Sequence, residues 1–274
     1  MIEAKDISKS FDTGGYAPRT ALKHVSLRFN GAQWCSLLGP NGSGKSTLLR
    51  ILSGELQPSS GSVLFNGVDV TRRNAAQRAQ SVFFVEQDTR ANLVPSMTIE
   101  ENLLLAECTS LFPGLGPARR AARCRRVAEA LARLNMGLED RRNTQVRFLS
   151  GGERQSLVLA EALLSSAPVL LLDEFLASMD PHTGPHLLNT ARQIAREKGL
   201  TVVSVTHNVD HVLADSTPQD RVIMLHEGRV TQDLLVADLP SRDWLVKQYR
   251  GVSASINMKD NNEEDVNGEN DRAC

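Results

Sequence analysis

Short apolar runs broken by turn residues fill the first third of the chain, and helical spacing takes over in the middle. Trp34-Cys35-Ser36-Leu37-Leu38 suits a strand buried on both faces. Ala21 to Phe29 alternates and stops at Asn30-Gly31, and Ser62 to Phe65 stops at Asn66-Gly67. Asn-Gly after such a run is a hairpin signal, so both stops predict hairpins in a small antiparallel sheet. Ser81 to Val85, Val169 to Leu172 and Leu200 to Val205 read as further buried strands. Arg221 to Val230, turning at Glu227-Gly228, reads as a last hairpin.

Helical signals run from Pro95 to about Ala167. Thr98-Ile99-Glu100-Glu101 is a capping box, and Val127, Leu131 and Leu134 share one face of a helix that stops at Gly137. Ser150 and Glu153 have the same capping spacing ahead of the run Leu157 to Leu164, with Gly151 and Gly152 exposing backbone N–H groups. Another helix spans about Pro185 to Lys198 and closes at Gly199.

Between the first buried strand and Leu48-Leu49-Arg50-Ile51-Leu52, the start of a helix, lies Gly39-Pro40-Asn41-Gly42-Ser43-Gly44-Lys45-Ser46-Thr47. This matches the phosphate-loop pattern G-x-x-x-x-G-K-[ST] in its proper strand–loop–helix setting. Glycines let the backbone wrap a polyphosphate, and the helix N-terminus favours its charge. Lys45 is expected to reach the β- and γ-phosphates and the Ser46 hydroxyl to ligate Mg²⁺.

Two acids end the strand before Phe175. Asp173, at the end of a buried strand beside a phosphate loop, suits a Mg²⁺ ligand, and Glu174 suits the polarisation of an attacking water. His207, delivered by the strand to Val205, is expected to sense the γ-phosphate rather than serve the core. Phe11 ends the first strand, where its ring either stacks on an adenine or fills a core or turn position. Arg119, Arg120, Arg123, Arg125 and Arg126 could meet phosphates or lipid headgroups. With no aromatic residues interleaved, they read better as a solvated helix face.

Composition narrows the class. The chain has 274 residues, 41% hydrophobic and 23% charged, with a formal net charge of −1, so no global drive toward nucleic acid or an anionic membrane is present. Cys35, Cys108, Cys124 and Cys274 form no C-x-x-C pair, which points to a reducing cytosol rather than a zinc or disulfide framework. No apolar run approaches the ~20 residues needed to span a bilayer, and Met1 to Asp6 is no signal peptide. A membrane role is therefore expected to be peripheral.

Taken together, the phosphate loop, Gln87, Leu149-Ser150-Gly151-Gly152-Glu153-Arg154-Gln155, the Leu170-to-Glu174 acid strand, Ser178-Met179-Asp180 and His207 stand in the order that resembles ATP-binding cassette (ABC) ATPases. The resemblance covers roughly residues 1–250. It implies an α/β P-loop NTPase (RecA-like) core, about 1–88 and 167–250, with a flanking antiparallel sheet and an inserted helical subdomain at about 89–166. A polar, mostly acidic segment at 251–274 is expected to be disordered.

The resemblance also implies ATP and Mg²⁺ as ligands and a head-to-tail pair of cassettes, either two copies or a copy and a paralogue. Phe11 would then stack on adenine, Gly39 to Thr47 would bind phosphates, and Gln87 would contact Mg²⁺ and water. Asp173 would hold Mg²⁺, Glu174 would be the general base, and His207 would contact the γ-phosphate. Ser150, Gly151, Gly152 and Asp180 would act across the dimer. A separate permease and, indirectly, a solute-binding protein are implied partners, placing the chain on the cytoplasmic face of the membrane without nucleic acid.

The chain departs from the usual pattern at Phe175-Leu176, where Pro-Thr is common, and at Leu157 and Glu161, where basic residues are common. The run from Gln87 to Leu103 resembles an importer branch, some of whose members are linked to tryptophan-type amino acids. A DNA-associated cassette would carry a long coiled coil between Lys45 and Ser150, and no sustained heptads occur there. A nucleotide-gated module that barely hydrolyses is opposed by the presence of Glu174 and His207.

Overall fold

The computed structural model describes residues 1–12, 14, 18–106, 117–177, 179–180 and 183–251, with backbone alone for 117–120. The chain opens with β1 (Ile2–Phe11), β2 (Arg19–Phe29) and β3 (Trp34–Leu38), then α1 (Lys45–Ser53), β4 (Ser60–Phe65), β5 (Val68–Asp69) and the short α2 (Ala75–Arg78). β6 (Val82–Val85) leads into three helices, α3 (Ile99–Ala106), α4 (Pro117–Leu134) and α5 (Gly151–Leu164). β7 (Val169–Asp173), α6 (Thr183–Lys198), β8 (Thr201–Val205), α7 (Val209–Leu213) and the hairpin β9 (Arg221–His226) to β10 (Arg229–Leu235) follow. Residues 242–251 are helical.

Two sheets form. The smaller is antiparallel, in the order β2-β1-β4-β5, and the larger runs β10-β9-β3-β8-β7-β6. In the larger sheet β9, β3, β8, β7 and β6 are parallel, and only the edge strand β10 is antiparallel. Every residue of β3, β7 and β8 is buried, as strands covered on both faces require. Alternate residues of β7 serve different cores. Leu170 and Leu172 pack with α3, α4 and α5, whereas Val169 and Leu171 pack with α1 and the small sheet.

Asn66-Gly67 makes the predicted hairpin, with both residues at positive φ and Phe65 paired to Val68. The hairpin expected at Asn30-Gly31 does not form. β2 pairs with β1, while β3 pairs with β8 and β9, so this turn carries the chain from one sheet to the other. The reason is burial: a strand apolar on both faces is better covered inside the parallel sheet than at the margin of the small one. Hairpin β9–β10 forms as expected, with β9 also a member of the parallel sheet.

Both capping boxes are present. Glu101 N donates to Thr98 Oγ1 at 3.2 Å and Thr98 N to Glu101 Oε2 at 2.7 Å. In the arginine cluster, Arg123 Nη2 donates to Leu104 O at 2.6 Å, while Arg125 and Arg126 are exposed; the side chains of Arg119 and Arg120 lie outside the described residues. Cys35 is buried, its thiol pushed up to about 12 chiefly by desolvation, and Cys124 is free. Cys108, Cys274, Ser178 and the acidic segment beyond Gly251 lie outside the described residues. No described helix is long and apolar enough to cross a membrane.

Candidate nucleotide site

Parallel pairing gathers the chemistry at one edge. Leu37 pairs with Val205 and Val205 with Asp173, while Val85 pairs with Leu172, so four strands end in one row. The loops leaving that edge carry the phosphate loop, Glu174, His207 and Gln87. Ligands of open parallel sheets bind outside such carboxyl ends.

The phosphate loop is shaped by its glycines. Gly44 sits at φ 103°, where a Cβ would lie 2.5 Å from Ala21 O and 2.7 Å from Leu22 Cδ2. No side chain there caps α1, which leaves amides of its first turn facing the loop. Lys45 is 5% exposed, and its Nζ donates to Gly39 O at 2.8 Å and Pro40 O at 2.9 Å. Burial lowers the Lys45 pKa, and the carboxylates of Glu174 and Asp173 oppose that shift.

Asp173 is buried and hydrogen-bonded to Ser46, while its Oδ1 has no protein partner. Burial raises its pKa, and a cation at this oxygen would reverse that. Ser43 Oγ is likewise buried without a partner. A hydroxyl, an orphaned carboxylate oxygen and the amide of Gln87 make a hard-oxygen donor set suited to Mg²⁺. Among the described residues, no group of three or more His, Cys, Asp or Glu side chains is placed to hold a metal by itself.

Glu174 is the meeting point. It adopts φ 46°, a left-handed conformation costing about 1–2 kcal/mol for a residue with a Cβ. Its N donates to Val205 O at 3.2 Å, and its carbonyl accepts from Ala177 N at 2.9 Å. Gln87 Nε2 donates to Glu174 Oε2 at 3.3 Å, and His207 Nδ1 lies 3.9 Å from the same oxygen. Two side chains from loops that follow different strands thus flank one carboxylate oxygen.

Phe11 and Glu174 line a cleft of about 560 Å³ with Gln87 and the phosphate loop. Phe11 is 39% exposed, with Lys9 Nζ 5.3 Å from its ring centroid. Arg19, at the start of β2, lines the same cleft and was not singled out by any sequence motif. His207 and Asp180 line a neighbouring cavity of about 400 Å³ that Glu174 also borders.

Ser150, Gly151 and Gly152 stand apart from that cleft. Ser150 caps α5 in a full box: Glu153 N donates to Ser150 Oγ at 3.2 Å, and Ser150 N to Glu153 Oε2 at 2.7 Å. Asp180 Oδ1 accepts from Thr183 N at 2.9 Å at the start of α6. Met179 joins the two segments, since a Cβ on Gly152 would sit 3.4 Å from its Cε.

Comparison with known proteins agrees with this arrangement. Residues 22–177 match the family described as ABC transporter. A tyrosine transport ATP-binding protein of Clostridioides difficile is 37% identical over 234 residues, 85% of this chain and 92% of that protein. A thiamine import ATP-binding protein of Brucella abortus is 38% identical over 248 residues, 88% and 93% of the two chains. A bacterial ABC transporter cassette solved as a dimer superposes with a TM-score of 0.75 at 29% identity, over 86% of this chain and 99% of that one. The chain therefore belongs to the ABC transporter family, as an ATP-binding, ATP-hydrolysing subunit.

Proposed function

We propose that this subunit drives import of an amino acid or other small organic solute through a separate membrane permease, to which it docks on the inner face of the membrane. The solute class rests on what the relatives transport, tyrosine in one case and thiamine in the other. Two cassettes, two copies of this chain or a copy and a paralogue, close on ATP. The observation that carries this reading is the split between the cleft and the Ser150 helix terminus within one chain. Each half-site lacks anion-binding amides that a second cassette supplies.

In this reading Phe11 stacks on the adenine, and Gly39 to Thr47 wrap the phosphates, with Lys45 turned to their negative charge. Ser46, Asp173 and Gln87 would hold Mg²⁺, whose charge would offset that on the phosphate oxygens. Glu174 accepts a proton from the attacking water at its Oε2, the oxygen flanked by Gln87 and His207. His207 faces the γ-phosphate. Ser150, Gly151, Gly152 and Asp180 act from the second cassette. Hydrolysis removes the charge that held the halves together, and the released pair returns the permease to its other state.

Glu174→Gln keeps the shape and removes the base. Turnover should fall by roughly 10²–10⁴-fold, as loss of a general base does, and an ATP-bound dimer should persist on size exclusion. Wild-type turnover in this variant would remove Glu174 from the mechanism.

A further inference from the structure

α7 is five residues long, too short to hold as a helix by itself, yet it begins two residues after His207. Its position is set from outside. At the near end Thr206 N donates to Leu37 O at 3.3 Å, and Asn208 N donates to Thr206 Oγ1 at 3.1 Å. The Asn208 side chain then caps α7 by accepting from Asp210 N at 2.8 Å.

The far end is held by Arg192 of α6. This arginine is 1% exposed, and its guanidinium divides among three elements. Nη2 donates to Val212 O at 3.1 Å and to His211 O at 3.4 Å, the carbonyls that close α7. Nη1 donates to Asp220 Oδ2 at 2.7 Å. The plane stacks on Trp34, 4.4 Å from the ring centroid, at the start of the strand that leads to the phosphate loop. Asp220 also accepts from Thr217 N at 3.1 Å and Thr217 Oγ1 at 2.8 Å, which orders the loop between α7 and β9. The planar fork of arginine makes these contacts at once, and a lysine ammonium cannot.

We propose that Arg192 is a positioning residue for ATP hydrolysis: by clamping the C-terminal end of α7 against Trp34 and Asp220, it fixes His207 at the γ-phosphate edge without touching nucleotide. The inference rests on the reading of His207 given above. His207 itself is exposed, so its place depends on the two ends of the segment that carries it.

Arg192→Lys, made in the full chain, keeps a charge opposite Asp220 and loses the fork. The expected result is a fall in kcat of about tenfold or more, with the KM for ATP and the Kd of a fluorescent ATP analogue within about twofold of wild type. Amide exchange should accelerate at 206–213 and stay unchanged at 169–174. Arg192→Met combined with Asp220→Asn removes the clamp without stranding a buried charge, and the same kinetic split is expected. An unchanged kcat in either folded variant overturns the inference. So does a joint loss of affinity and turnover with exchange rising throughout, which marks general loss of fold. His207→Ala runs beside them. If it leaves kcat intact, the γ-phosphate reading fails; if it abolishes turnover while Arg192→Lys does not, the positioning role alone fails.

Discussion

Glu161 lies on α5 at 5% exposure, and burial alone pushes its carboxyl from an ordinary 4.5 up to about 8. An acid whose folded pKa exceeds its unfolded value stabilises the fold least at high pH: its penalty is absent below the unfolded pKa, grows through the gap and levels off above the folded one. Here that window runs from 4.5 to about 8. Integrating the proton linkage gives a cost of roughly 1 kcal/mol at pH 5 and about 4 kcal/mol at pH 8, as upper values for a fully desolvated group. Glu161→Gln replaces the acid with a neutral group of the same shape. It should therefore be stabilising by no more than about 1 kcal/mol at pH 5 and, at pH 8, by up to about 3 kcal/mol more than that. For a domain of this size that corresponds to a melting gain of roughly 2–4 °C per kcal/mol. Thermal unfolding of both proteins at pH 5, 6, 7 and 8 reads the result. A shift that stays constant across the series, or a variant less stable at pH 8, would refute the argument that burial holds the Glu161 carboxyl above its ordinary pKa.

Gly44→Ala should weaken ATP binding by about tenfold or more, because the added Cβ falls 2.5 Å from Ala21 O at a φ that L-residues resist; a fluorescent-nucleotide titration unchanged from wild type would contradict this. Ser150→Ala removes one bond of the α5 box, which should cost about 1 kcal/mol of stability. The same change should lower ATP-dependent dimer formation in the Glu174→Gln background, and an undiminished dimer in analytical ultracentrifugation would argue against a role for Ser150 across the interface.

What the sequence revealed follows from which interactions are local. The parallel strands were legible because burial on both faces turns them into unbroken apolar runs, as at Val169 to Leu172. The capping boxes were legible because four consecutive residues suffice to form one. Asn30-Gly31 misled because a turn residue reports a reversal and not the strand it leads to. Arg19 reaches the cleft from β2 with no motif to mark it. Arg192 and Asp220 meet across 28 residues, and the helix at 242–251 joins α7 through Arg242 and Asp210, Nη2 to Oδ1 at 2.6 Å. Neither pairing leaves a periodic trace.

The helices share a polarity rule that explains where anions can go. In five of the described helices, carbonyls near the C-terminus meet basic side chains from other elements. Arg78 Nη1 donates to Ile51 O at 2.8 Å and Leu52 O at 2.9 Å at the end of α1. Arg123 serves α3, His186 Nε2 lies 3.1 Å from Leu134 O of α4, Lys198 donates to Leu163 O of α5, and Arg192 serves α7. The arginines and the lysine offset the negative pole of their dipoles, and each of the five side chains fixes a helix to a neighbour. The positive pole of α1 is treated differently: it has no side-chain cap and faces the cleft. α5 satisfies part of its own terminus through Ser150 and Glu153, yet Gly151 and Gly152 put no side chain over the rest. Among the described residues, basic side chains thus meet the C-terminal carbonyls of five helices, while the N-termini of α1 and α5 keep amides that no side chain covers, as an anion-binding terminus requires. In the proposed reading, a second cassette turned head to tail would bring both to one triphosphate.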